Sequence, residues 1–263
     1  MKSFIDNLRA LYKHRDLMLS WTYRLIRGRY QQSILGGLWA VIVPTASTVI
    51  FSVIFTFFVP IDTGEVPYFV FSYTAMIPWT FFTSSISEMS NSLIGNMNLV
   101  SKIYFPREIL PIATVLARLL DFLIGFCMLV ILMFFYKMPV NLLSWLFLPI
   151  VLLIQIMLSL GIGLAGAAMN VFYRDVSYVI GLGLQIWLYA SPILYPVTSV
   201  PERFRSIYFL NPMAGVIESY RAILLHQTLP SSNLILSAGI SIVMLFIGYW
   251  IFKKVEFQFA DVI

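Results

Sequence analysis

The chain has 263 residues, 60% of them hydrophobic and 11% charged, with a formal net charge of +5 and a mean hydropathy of +0.88. Soluble domains usually carry about 25% charged residues, so an ordinary water-soluble enzyme is excluded, as is a nucleic-acid binder, which would need a soluble basic domain. The charge is gathered rather than spread, with Lys2, Arg9, Lys13, Arg15, Arg24, Arg27 and Arg29 all preceding residue 34.

Residues 1–33 place Phe4, Leu8, Leu11, Met18, Trp21 and Leu25 at helical spacing, with Asp6, Arg9, Lys13, Asp16, Ser20 and Arg27 on another face. That pattern predicts an amphipathic helix lying in the membrane interface, in contact with membrane lipid. Residues 34–59 then contain no Asp, Glu, Lys, Arg or His. Crossing ~30 Å of hydrocarbon takes roughly 20 such residues, so this is the first of six predicted spans. The others are 67–87, 116–136, 143–169, 178–195 and 234–252. A polar connection, 88–108, joins spans two and three. The segment 198–233 carries Ser199-x-x-Glu202, a capping-box pattern, and then Asn211–Pro212, a good N-cap followed by a proline suited to the first helical position. Two short helices are predicted there, neither long enough to span.

An even number of spans returns both ends to one side. With the N-terminus inside, twelve basic residues fall inside: the seven above, Lys102, Arg107, Arg174, Lys253 and Lys254. Lys137, Arg203, Arg205 and Arg221 fall outside. The positive-inside rule therefore predicts cytoplasmic termini. The expected architecture is all-α and integral to the membrane: an interface segment (1–33) and one transmembrane domain (34–263).

Chemistry is sparse. There is no G-x-x-x-x-G-K-[ST] loop, no Gly-Lys pair and no H-E-x-x-H, and His14 and His226 are the only histidines. The chain is expected to hold no metal or cofactor of its own and to catalyse nothing. Cys127, the single cysteine, is expected in the core. Arg118 and Asp121, spaced i,i+3, are the charged pair at membrane depth, either functional or paired locally near the headgroups. Hydroxyl and polar stripes recur within spans. Thr45, Thr48, Ser52 and Thr56 share a face of span one, and Thr80, Ser84, Ser87 and Asn91 one of span two. Gln155, Ser159, Gly163, Gly166 and Asn170 do so in span four, and Tyr178, Gln185 and Tyr189 in span five. Such stripes serve either helix packing or the wall of a polar path. Span two is rich in aromatics, Tyr73 and Trp79 among them, which suit either core filling or sugar rings.

Local strings add a resemblance. Arg29-Tyr30-Gln31-Gln32-Ser33-x-Leu35-Gly36-x-x-Trp39 with Pro44 resembles the start of span one in type-2 ATP-binding-cassette exporter permeases. Asn98-Leu99-x-x-Lys102-x-x-Phe105-Pro106-x-Glu108-Ile109-Leu110-Pro111 is similar to that family's connection between spans two and three. Asn170-x-x-x-Arg174-Asp175, Ser191-Pro192-Ile193-x-Tyr195-Pro196, and Asn211-Pro212 through Tyr220-Arg221 follow in the family's order. The resemblance covers nearly the whole chain. It implies a homodimer in a bacterial inner membrane, driven by two copies of a separate ATPase that binds ATP and magnesium. It implies a cytoplasmic coupling helix, with Asn96, Asn98, Leu99, Lys102, Tyr104, Phe105 and Glu108 as the coupling residues. The paired outer helices, with Asn211, Pro212, Glu218, Tyr220 and Arg221, would shape the exit. Thr45, Thr48, Ser52, Thr56, Tyr73, Trp79, Tyr178, Gln185 and Tyr189 would line the path of a lipid-linked glycan. The O-antigen (Wzm type) subgroup matches best, with teichoic acid or capsular polysaccharide export as the alternative. An ion-coupled secondary transporter and a non-transporting scaffold are the rival classes.

Overall fold

The computed structural model describes residues 4–31, 33–103 and 105–260, and every regular element among them is helical. The α-helices are α1 (Phe4–Lys13), α2 (Arg15–Tyr30), α3 (Trp39–Val53), α4 (Tyr68–Ser92), α5 (Met97–Lys102) and α6 (Ile109–Phe135). They continue with α7 (Leu142–Trp145), α8 (Leu148–Phe172), α9 (Val176–Tyr189), α10 (Glu202–Tyr208), α11 (Pro212–Leu224) and α12 (Asn233–Val255).

Among the described residues, four stretches are long and apolar enough to cross a membrane: Gly36–Phe58, Ile109–Phe135, Leu142–Phe172 and Asn233–Phe259. The other two expected spans differ for separate physical reasons. Helix α4 has the length, 25 residues, but carries hydroxyls and Glu88. It is the central helix, packed by α3, α6, α8, α9 and α11, and a helix surrounded by protein needs no lipid-compatible exterior. Helix α9 is apolar but has only 14 residues, about 21 Å at 1.5 Å per residue.

Many hydroxyls inside the helices are turned onto their own backbones. Thr45 donates to Val41 O at 2.6 Å and Thr48 to Pro44 O at 2.8 Å in α3. Thr74, Ser90, Thr114, Ser159, Ser219 and Ser241 make the same i−4 bond elsewhere. This is how a hydroxyl is satisfied where water is absent.

Helices α8 and α12 form the most extensive pair, joined where Gly161 meets Gly248. A Cβ on Gly248 would lie 1.8 Å from the Gly161 carbonyl oxygen, and one on Gly161 would lie 2.5 Å from the Met244 backbone. Ser237, Ser241 and Gly248 are buried along this side of α12. Small residues let two backbones approach where hydrophobic burial alone gives little attraction. The stripe Gln155, Ser159, Gly163, Gly166 and Asn170 on α8 also packs helices. Gly163 faces Met89, Gly166 faces Ser90 and Ile180, and Asn170 donates to Ser90 O at 2.8 Å.

The chain sorts into two ends. At one, α5 meets the 3-10 turn Glu256–Ala260, Phe259 packs on Phe172 and Phe252, and Lys253 pairs with Glu108 at 2.7 Å. At the other, Asn141 and Ser144 donate to Gln227 O, and α10 and α11 gather beside the end of α9. Helix α2 turns Trp21 and Thr22 inward and packs along α6, so the apolar stripe read in residues 1–33 meets protein from Leu11 through Leu25.

Two local expectations are corrected. Ser199 lies in a 3-10 turn and caps nothing; α10 starts at Glu202 behind Pro201, which offers no side-chain oxygen. Cys127 is exposed on α6, because the buried face of that helix runs through Phe122, Gly125, Leu129 and Met133.

Candidate functional site

A dense concentration of charge within the helical body is a closed ring where α2, α4 and α6 converge. Arg29 donates to Asp121 Oδ2 at 2.7 Å and to Glu88 Oε2 at 2.8 Å. Arg118 donates to Asp121 Oδ2 at 2.8 Å and to Glu88 Oε1. Tyr30 donates to the other Asp121 oxygen. Burial first, and then Asp121, push the Tyr30 hydroxyl up to about 12, so it holds its proton as a donor. Each arginine binds both acids and each acid binds both arginines, which leaves the ring neutral. Its side chains are 14–34% exposed, so the charges are partly withdrawn from water and their pairing matters more than on a surface.

The pairing has a local origin on one helix and a long-range one on the others. Arg118 and Asp121 lie i,i+3 on α6. Glu88 ends a stripe on α4 that begins at Thr80 and Ser84, at i, i+4 and i+8. Arg29 and Tyr30 close α2. The ring borders a cavity of about 340 Å³ whose wall includes Trp39, Ile77, Thr80, Phe81, Ser84 and Phe122.

A second polar construction lies at the opposite end, where α9 stops and residues 190–195 run without regular structure. Here side chains take the backbone carbonyls. Tyr195 donates to Tyr189 O at 3.0 Å, Asn211 to Ala190 O at 3.0 Å, and Tyr68 to Leu194 O at 2.7 Å. Arg221, 1% exposed, donates to Pro192 O and to Ile193 O at 2.9 Å, and its guanidinium carbon sits 3.6 Å from the centroid of the Phe71 ring. Asn211 also caps α11, accepting from Met213 N at 3.0 Å, and accepts from Trp187 Nε1 at 2.8 Å. Irregular backbone between apolar helices persists only where protein satisfies it, and this clasp does so. Arg221→Met should therefore lower thermal stability by about 2–3 kcal/mol, the cost of leaving buried carbonyls unpaired. Arg203→Ala, at an exposed position of α10, should change it little. Melting of the two purified variants, side by side, checks this.

The structure distributes the sequence-predicted residues unevenly. Tyr178, Gln185 and Tyr189 all stand exposed on the flank of α9. In α3, Thr48 is buried, Thr45 and Ser52 are half-buried, and Thr56 is exposed in the π-helical turn Ile54–Phe58. Tyr73 and Trp79 are 0% and 3% exposed, inside the packing of α4. Their rings fill the core because α4 is central. In the coupling segment, Asn98 and Lys102 are exposed, Leu99 is half-buried, and Asn96 donates to Ser92 O. Tyr104 lies outside the described residues. Phe105 is buried and Glu108 pairs with Lys253 within the subunit. Pro212 and Tyr220 are buried in α11, where Tyr220 donates to Gln155 Oε1 at 3.1 Å, while Glu218 is half-buried. Sequence reasoning found the Arg118–Asp121 pair but missed Arg29 and Glu88. The signal for Glu88 was its place on the Thr80–Ser84 stripe. Among the described residues no cluster could hold a metal ion.

Comparison with known proteins bears on both constructions. Residues 17–225 match the family model described as ABC-2 type transporter. The chain is 31% identical over 249 residues to the O-antigen export system permease protein RfbA of Klebsiella pneumoniae, covering 94% of this chain and 95% of that protein. It is 31% identical over 260 residues to the RfbA permease of Myxococcus xanthus, covering 97% and 98%. It is 28% identical over 238 residues to the polysialic acid transport protein KpsM of Escherichia coli, covering 89% and 91%.

Proposed function

The chain belongs to the ABC-2 type transporter family, and from that premise we propose that it is the permease subunit of an ATP-powered polysaccharide exporter, with a lipid-linked, O-antigen-like glycan as cargo. The observation that carries this reading is similarity along almost the full length of O-antigen export permeases. The similarity to a polysialic acid transport protein keeps capsular polysaccharide as the second reading. Teichoic acid is the third, on the motifs shared with that branch.

The assembly we propose is a homodimer with two copies of a separate ATPase, in the bacterial inner membrane. Two features support it. The chain has no phosphate-binding loop, so energy has to arrive from outside. The α9 flank bearing Val179, Leu182 and Ile186 is exposed, which suits burial against a second copy. Six crossings then require α4 and the short α9 to cross within protein, with the clasp at residues 190–195 completing the span of α9. Both termini would be cytoplasmic, on the basic asymmetry of twelve against four and on the grouping of α5 with the C-terminal turn. Docking to the ATPase would fall to Asn98, Lys102 and Ile103, which face outward. Thr45, Ser52, Thr56, Tyr178, Gln185 and Tyr189 remain the proposed path. An ion-coupled carrier would want a free intramembrane carboxylate, and Asp121 is neutralised by two arginines.

Deleting the gene should abolish surface glycan while cytoplasmic lipid-linked glycan accumulates, and the tagged permease should copurify an ATPase. Purified alone, the chain should hydrolyse no ATP. Normal surface glycan in the deletion strain would overturn the reading.

A further inference from the structure

We infer that the cavity beside the Arg29–Glu88–Arg118–Asp121 ring binds a neutral sugar residue, a role that rests on the permease reading and assigns its glycan a contact site. The argument starts from charge. An anion such as phosphate would have to displace a carboxylate, since both arginines already bind both acids and the ring as a whole is neutral. A polyol has no such conflict, because it offers donors and acceptors together.

The wall has what a polyol needs. Asp121 lines the cavity, and its Oδ1 accepts one hydrogen bond, from Tyr30, and keeps a further acceptor position. The Arg118 Nε–H is buried and without a hydrogen-bond partner. Thr80 and Ser84, half-buried on α4, add hydroxyls one and two turns from Glu88. Trp39, at the start of α3, supplies an accessible aromatic ring suited to the C–H face of a pyranose. A volume of about 340 Å³ falls at the small end of ligand pockets, roughly 300–1,000 Å³, and fits one sugar better than a chain. Trp39 is 48% exposed, so the wall can be altered without disturbing the core.

The test is saturation-transfer NMR on the complete permease–ATPase complex in nanodiscs, with the methyl glycosides of mannose, glucose and N-acetylglucosamine as probes. Saturable binding of at least one probe is expected, unaffected by inorganic pyrophosphate. Trp39→Ala and the pair Thr80→Val with Ser84→Ala should each weaken it about fivefold or more, the worth of one ordinary hydrogen bond or contact. Ile235→Ala, at an exposed position of α12, should leave it unchanged. No saturable binding, binding indifferent to Trp39→Ala, or displacement by pyrophosphate would each overturn the inference. ATP-driven glycan export by the wild-type complex is measured alongside. Export without glycoside binding removes the sugar site and leaves the permease reading standing, whereas absent export removes the reading on which the site rests.

Discussion

Gly248→Leu is expected to strip most of the chain from the membrane. A Cβ there would sit 1.8 Å from the Gly161 carbonyl oxygen, 2.7 Å from its carbon and 3.0 Å from its Cα. All three are backbone atoms of a neighbouring helix, so no rotamer change makes room and α8 must move off α12. That pair is the most extensive helix contact in the molecule, and α12 also holds Lys253 against Glu108. Overpacking commonly costs about 1–3 kcal/mol when side chains can shift, and a rigid backbone obstacle should take the cost above about 4. Gly239→Leu on the same helix is the control, because a Cβ there meets nothing within 4 Å. The check is membrane abundance of both variants together with the melting temperature of whatever is purified. Equal abundance of Gly248→Leu and Gly239→Leu would show that the two helices are not locked at this point.

How much of this was legible beforehand depended on range. Helix α11 was readable because its determinants are local: Asn211 caps, Pro212 opens the first turn, and Met213, Val216, Ile217, Tyr220 and Leu224 repeat on one face, all buried as the spacing required. The hydrophobic runs 116–136, 143–169 and 234–252 overlap stretches long and apolar enough to cross a membrane, Ile109–Phe135, Leu142–Phe172 and Asn233–Phe259. What failed was the question of what each face meets. Tyr73 and Trp79 read equally well as core or as lining, and only the central position of α4 decides for the core. Phe105 entered only through the family resemblance, and what the sequence could not show is that the C-terminal turn folds back over this segment and that Glu108 turns inward to Lys253. The ring was half visible. Arg118 and Asp121 are three residues apart, but Arg29 lies 92 positions from Asp121 and 59 from Glu88, beyond the reach of any periodicity. The clasp at residues 190–195 was hidden for the same reason, although Pro192, Asn211 and Arg221 had all drawn notice singly.

The ring also predicts a pattern of non-additive losses. Asp121→Leu alone leaves Arg29 and Arg118 sharing one acid, Glu88, with an uncompensated positive charge whose side-chain surroundings are three-quarters withdrawn from solvent. Removing one partner of a buried pair costs about 3–5 kcal/mol; the partial exposure here, 14–34%, should reduce that to about 2–4. Arg118→Met alone should cost a similar amount with the opposite sign of residual charge. The double variant deletes one cation and one anion and leaves Arg29 facing Glu88 at 2.8 Å, a balanced pair. It should therefore be less destabilised than the sum of the two single losses, with a coupling of about 1–3 kcal/mol in the double-mutant cycle. Melting of the four purified proteins in one lipid gives the cycle directly. Strict additivity would mean that the four side chains act as separate surface charges, and the ring would then have no standing as a unit. If the coupling appears while export by the stable double variant is lost, the balanced charge serves folding, and the full set of donors and acceptors serves the cavity beside it.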